Sequence, residues 1–332
     1  MKLFKVIPYN SLWFGGLIHT SAGEDHYLSS IRLPTIMVFF PFVKKETQSA
    51  NEKSNWEGAC YGVVLCDDDG NIFLPSPADI VGKRKKGGGW RILKFIDEHK
   101  LPLVRGTVEV FESSEGYFIT GEGLERWKGG YLCNNDMREW RTLAETELKV
   151  GLQLNKNTGI AEERMLYFQE RIRLRDGYFI AFLADECVCN DSFIGGERNP
   201  AKVKEVKNPK LPFGNRLEIK RNSYYRLYLL THTYAENLRK GKSLKLKEVG
   251  GEREANFEVV WVYSKGSEFV SGYRKPAIEM LKPGTVLLLK AEDEADLKDF
   301  VQIHSIPKAD KVSYFLESGW NTGILAEGGV EP

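Results

Sequence analysis

Tyr61-Gly-Val-Val-Leu-Cys-Asp-Asp-Asp-Gly-Asn-Ile-Phe-Leu74 decides the fold class. Two apolar runs flank an Asp-Gly pair, the strongest short-range signal for a β-hairpin. Pro75 and Pro77 then end the second run, because proline cannot donate to a strand ladder. The same grammar recurs along the chain. Leu3–Tyr9 alternates at period two and reads as an opening strand. Val104–Phe111 with Tyr117–Thr120 forms a second predicted hairpin, and Leu166–Leu174 with Tyr178–Ala184, around Arg175-Asp176-Gly177, a third. Tyr224–Thr231, Phe257–Tyr263 and Thr285–Lys290 read as further strands. Short helices are expected at Leu124–Leu132 and at Ala295–Ile303, where Leu297, Phe300 and Val301 share a helical face. Strand-rich halves with a few short helices predict an α+β protein rather than a doubly wound one. Two domains are expected, 1–145 and 146–332. The segment between Asn190 and Asn222 reads as a long loop, with a basic insertion at 195–222; loops of this length are usually functional or disordered.

Composition narrows the function classes. Of 332 residues, 42% are hydrophobic and 28% charged, as in chains that bury a core. Met1–Asn10 has no uninterrupted apolar stretch, so no signal peptide is expected. The longest apolar run, Ile36–Val43, is eight residues long and contains Pro41, too short to span a bilayer. A soluble, cytoplasmic protein without a membrane partner is expected. Five scattered cysteines do not make a disulfide framework. The net charge of +1 hides an asymmetry: Arg198–Lys247 holds 14 Lys/Arg against Glu205, Glu218 and Glu236, a local +11 that leaves about −10 for the rest. Such a segment suits a polyanion partner, since phosphate neutralisation dominates nucleic-acid affinity. A solvated surface balanced by acidic neighbours in space is the other reading.

The inventory for chemistry is thin. The histidines are His19, His26, His99, His232 and His304, with no pair at i, i+4 and no HExxH motif. Cys187-Val-Cys189 lacks the spacing of a zinc knuckle, and Gly241-Lys-Ser243 lacks the Walker glycine. No metal and no cofactor are expected. His19 and His26 offer an acid and a base for metal-free RNA cleavage, or are surface loop residues.

Three glycine segments carry the binding prediction. Gly195, Gly196 and Arg198 open the basic loop; Lys83, Arg84, Lys85 and Lys86 run into Gly87–Gly89 and Trp90; Gly319, Asn321 and Gly323 lie near the C-terminus around Trp320. Glycine lets a phosphate reach main-chain amides, Arg adds bidentate contacts, and an exposed Trp offers a stacking face. Tight turns with solvated basic flanks are the alternative, and Trp320 either stacks on a base or plugs the core.

Read in order, the segments resemble a known family. Asn10-Ser-Leu-Trp-Phe-Gly-Gly16 with Leu33-Pro-Thr-Ile36 is similar to its opening strand and Pro-anchored first helix. Asn71-Ile-Phe-Leu-Pro-Ser-Pro-Ala-Asp79, Gly123–Leu132, Glu147–Asn155 and Gly195-Gly-Glu-Arg198 resemble its successive motifs. Leu229-Leu-Thr231, Val270–Tyr273, Lys282-Pro-Gly-Thr285 and Gly319–Gly323 follow in the family's order. The chain thus looks like the third subunit of the Cmr complex, the type III-B CRISPR effector, within the RAMP group of RNA-binding proteins. Pro41 departs from the pattern and is expected to end or kink the first helix. The resemblance implies two strongly embellished ferredoxin-like (RRM-like) units with many β-hairpins. It implies a non-catalytic role in antiviral defence: binding the repeat-derived 5′ handle of the CRISPR guide RNA and docking on the large palm-domain subunit and neighbouring RAMP subunits. A metal-independent RAMP endoribonuclease that processes CRISPR precursor RNA is the alternative.

Overall fold

The computed structural model describes residues 1–15, 26–43, 59–83, 89–96, 101–104, 111–154, 158, 161–187, 191–194, 199–234, 238–270, 278–304 and 318–331. Strand dominates. The hairpin that opens the sequence argument is present: Cys60–Asp67 pairs with Ile72–Pro75, and Gly70 turns between them at φ +77°, a conformation glycine adopts without strain.

This hairpin sits inside an antiparallel sheet of eight strands. Their order is Met137–Glu139, Tyr117–Thr120, Ile72–Pro75, Cys60–Asp67, Tyr178–Ala184, Lys2–Pro8, Asn199–Glu205, Asp191–Ile194. Among the four strands from Cys60–Asp67 to Asn199–Glu205, the chain order across the sheet is second, third, first, fourth. Lys2–Pro8 and Tyr178–Ala184 are hydrogen-bonded neighbours, so the sheet draws on both sides of residue 145. On one face a 3₁₀ helix, Ile36–Phe42, packs Phe39 and Phe42 on Phe182, with ring centroids 4.9 and 6.2 Å apart. Pro41 lies in its last turn, the helix ends at Phe42, and the Val43 amide closes that end on the Phe40 carbonyl (3.2 Å).

The C-terminal part forms a closed antiparallel barrel in place of a second helix-backed sheet. Its strands follow the cyclic order Tyr224–Leu229, Val286–Ala291, Glu254–Tyr263, Ser243–Glu248, Phe300–Ile303, Thr322–Glu327. Leu227, Leu244, Leu246, Phe257, Leu289 and Val301 fill its interior. Its outer wall packs on the other face of the sheet, where Leu3, Val64 and Leu183 meet Tyr228, Phe300 and Ile324. The ribbon Ala144–Leu154 with Ala161–Leu174, joined in parallel by His26–Leu28, makes a separate three-stranded sheet.

Several local expectations are corrected. Ala295–Ile303 is two strands, Ala295–Lys298 and Phe300–Ile303. All four residues of the second are buried because it lies between barrel interior and sheet, and a run buried on both faces has no strand period to show. The turn at Gly177 forms (φ +84°), yet Ala161–Leu174 pairs in the ribbon and Tyr178–Ala184 in the large sheet. Tyr117–Thr120 pairs with Ile72–Pro75 and Met137–Glu139, while Phe111–Ser113 joins Ile80–Lys83. The segment read as a long loop contains the strands Asp191–Ile194, Asn199–Glu205 and Arg216–Ile219. The helix expected at Leu124–Leu132 is present as Gly121–Lys128 and is capped by Thr120, whose hydroxyl accepts from the Gly123 amide.

Candidate nucleic-acid interface

The three glycine segments fare differently. Residues 195–198 and 84–88, with Gly195, Gly196, Arg198, Arg84, Lys85 and Lys86, lie outside the described residues. Lys83 is described for its backbone, at the end of Ile80–Lys83. The C-terminal segment is interior. Gly319 has φ +96°, and a Cβ on it would lie 2.3 Å from the Cys60 carbonyl oxygen. The Cys60 amide donates to the Ser318 carbonyl (3.0 Å). Asn321 also takes the left-handed conformation (φ +64°), and its Oδ1 accepts from the Tyr234 amide (3.1 Å). Gly323 approaches the Tyr228 carbonyl so closely that a Cβ would sit 2.7 Å from it. Thr322 donates to the Tyr61 carbonyl (2.6 Å). Glycine is needed here for protein main chain to pass protein main chain, joining barrel to sheet at Gly319 and one barrel strand to the next at Gly323. Trp320 is 0% exposed and belongs to the core under the first helix; its ring has no open stacking face.

The basic segment divides into a neutralised part and an open part. Arg216 bridges to Glu248 (3.1 Å) and Asp296 (3.3 Å), and Lys245 to Glu254 (2.8 Å). Arg226 is buried, not a surface cation. It pairs with Asp79 (3.3 Å), donates to the Trp127 carbonyl (2.7 Å) and lies 4.2 Å over the Trp127 ring. The Trp127 indole donates to Asp79 (2.9 Å). Burial pushes the Asp79 carboxyl up, and these donors oppose it. The motif residue Asp79 therefore ties the sheet region to the barrel.

The open part lies on Asn199–Glu205 and beyond. Ala201 and Val203 are buried while Lys202 and Lys204 are exposed, the alternation of a half-buried strand. Lys204 stands directly opposite Lys5, a position where like charges repel. Lys5 is held by Asp68 (2.8 Å) and lies 4.1 Å from the Phe179 ring centroid. Lys202, Lys204 and Lys207 are exposed and have no ion-pair partner among the described residues. A second group, Arg239, Lys240 and Lys242, is exposed around Gly241, with Lys240 6.0 Å from the Trp261 ring centroid. The Lys-Val-Lys spacing at 202–204 carries a period of two, although the composition of Asn190–Asn222 reads as a loop.

Sequence reasoning did not find the cleft between sheet and barrel. It has a volume of about 280 Å³ and is lined by Arg32, Tyr117, His232, Lys265, Glu268 and Lys282 among others. His232 is hydrogen-bonded to Glu268, and His304 to Gln302 (3.1 Å). Burial, followed by Lys247, lowers the His304 pKa. His19 and His99 lie outside the described residues, as does the side chain of His26. Among the described residues no three His, Cys, Asp or Glu side chains gather as a metal site, and no helix is long and apolar enough to cross a membrane.

These features define a β-rich protein in which an eight-stranded sheet backs onto a closed barrel, with lysines open on its surface. The family described as CRISPR-associated protein (Cas_Cmr3) matches residues 41–326. The chain belongs to that family. No curated protein matches it. Among solved structures, it is similar to a chain in the cryo-EM structure of the Type III-B Cmr-beta bound to cognate target RNA, at 13% identity over 86% of each chain and a TM-score of 0.45. It is also similar to a chain in the crystal structure of the Csm3-Csm4 subcomplex of the type III-A CRISPR-Cas interference complex. There the identity is 12% over 89% of this chain and 98% of that one, with a TM-score of 0.33.

Proposed function

We propose that this chain is a non-catalytic, RNA-binding subunit of a type III-B CRISPR effector complex. In this reading it holds the repeat-derived 5′ handle of the guide RNA and docks on the large palm-domain subunit and neighbouring RAMP subunits. Family membership over residues 41–326 carries the reading. The surface supports it: Lys202, Lys204 and Lys207 are solvent-facing cations without ion-pair partners among the described residues, available to replace counterions on a phosphate backbone. Gly195, Gly196, Arg198 and Lys83–Lys86 are retained as further backbone contacts, since Arg198 precedes Lys202 by four residues. We also read the inner strands Cys60–Asp67, Tyr178–Ala184, Lys2–Pro8 and Asn199–Glu205, with the Ile36–Phe42 helix, as a ferredoxin-like unit.

The test is binding of a repeat-derived single-stranded RNA across a salt series, in EDTA. Intact RNA bound with a steep salt dependence supports the proposal. A flat salt response overturns RNA binding, and cleavage in EDTA overturns the non-catalytic role in favour of a metal-independent ribonuclease.

A further inference from the structure

We propose that the cleft between sheet and barrel is a binding site for a single phosphate-bearing nucleotide, with Arg32 and Lys265 gripping the phosphate. The inference deepens the RNA-binding reading and rests on it only where that nucleotide is one unpaired residue of a bound RNA; a free mononucleotide presents the same chemistry.

Lys265 and Arg32 come from distant parts of the chain and meet at one turn. The Lys265 ammonium donates to Ser76 Oγ (3.0 Å) and Ser114 Oγ (3.1 Å). Both acceptors are neutral, and both are buried in a hydroxyl pair of their own: Ser76 Oγ donates to the Ser114 carbonyl (2.7 Å) and lies 2.8 Å from Ser114 Oγ. The Arg32 guanidinium lies over the same turn, 3.6 Å from where a Gly116 Cβ would be, and has no partner among the described residues. Two cations thus converge without a carboxylate in hydrogen-bond contact with either. Burial lowers the Lys265 pKa to about 8; Glu115 and Asp79 oppose it, and Arg32 adds the smallest push downward. An anion beside the ammonium would offset its desolvation, in a cleft that Glu115 and Glu268 also line.

The rest of the lining suits a base and sugar. Ile31, Pro34, Val63 and Leu230 give apolar walls, and Tyr117 an aromatic one. His232, Glu268 and Thr231 supply a few polar groups, the mixture typical of small-ligand sites. The volume, about 280 Å³, is just below the usual range of such sites, about 300–1,000 Å³, which limits the occupant to one nucleotide rather than a longer segment.

The experiment is calorimetric titration of the full chain with adenosine 5′-monophosphate, adenosine and inorganic phosphate. AMP is expected to bind at least ten-fold more tightly than either fragment. R32A and K265M should each weaken AMP by about ten-fold or more while thermal melts stay cooperative, and K265R should retain most of the affinity. No AMP binding at millimolar concentration, or R32A and K265M with unchanged affinity, overturns the proposal. Phosphate binding as tightly as AMP overturns the nucleotide assignment. A short single-stranded RNA separates the sources: displacement of AMP identifies an RNA residue, and binding without displacement a free nucleotide, both with the cleft as the site. RNA binding that fails while AMP still binds overturns the RNA reading alone, and the reverse overturns this one alone.

Discussion

Replacing Lys265 by methionine should stabilise the unliganded protein at neutral pH. The side chain keeps its length and loses its charge, so the ammonium no longer has to be desolvated. A fall from the ordinary 10.5 to about 8, at about 1.4 kcal/mol for each pH unit, makes the charged form cost the folded state about 3 kcal/mol. Against this, the substitution removes the hydrogen bonds to Ser76 and Ser114, at about 1 kcal/mol each. The net expectation at pH 7 is a gain of about 1 kcal/mol. The sign changes with pH. A base whose folded pKa is lowered binds fewer protons folded than unfolded between about 8 and 10.5, so the wild type gains stability as pH rises through that window. Above it the desolvation cost is gone, and Lys265→Met should be the less stable protein by about 2 kcal/mol. Urea unfolding of both proteins at pH 7, 8, 9 and 10.5 measures the difference. A stability difference that stays constant from pH 7 to 10.5 refutes the reasoning. A residue that destabilises the fold yet binds a ligand is the trade-off expected of a functional site.

The lysine row has a separate signature. Lys202, Lys204 and Lys207 changed together to alanine should reduce the salt slope of single-stranded RNA binding by about 2, at roughly 0.7 per phosphate contact, with melts unchanged; an unchanged slope removes them from the interface. Asp79→Ala leaves the buried Arg226 guanidinium without its carboxylate and should cost about 3–5 kcal/mol, measured by denaturant unfolding. Gly319→Ala places a Cβ against the Cys60 carbonyl at φ +96°. It should therefore lower the melting temperature or prevent folding, and a stable variant with weakened RNA binding would return this loop to the interface. Trp320→Ala, emptying a fully buried site, should cost about 3–5 kcal/mol and alter RNA binding only through unfolding.

Turn chemistry and strand period were legible residue by residue. The Asp67–Gly70 turn and the opening strand follow from short-range rules, whereas the Thr120 cap of the Gly121–Lys128 helix was not read. The local excess of positive charge was legible too, although its division was not. Only the packed structure shows that Arg226 is buried against Asp79 and Trp127 while Lys202 and Lys204 stay open. The glycines at 319 and 323 read as places where a phosphate could approach the main chain; in the structure the groups that approach them are the Cys60 and Tyr228 carbonyls of the same chain.

By itself, then, the amino-acid sequence determined a strand-rich chain, where it turns, its basic segment and the order of motifs that marks its family. These depend on φ/ψ preferences and alternation within a few residues. Which strands become neighbours was decided by tertiary structure, because pairing is non-local and a turn does not choose its sheet. Tyr178–Ala184 leaves its chain neighbour Ala161–Leu174 to pair with Lys2–Pro8, and Phe300–Ile303 becomes a strand because sheet and barrel bury it from both sides. The cleft is non-local in the same way: Arg32 and Lys265 are 233 positions apart in the sequence and share a site only once the barrel closes against the sheet.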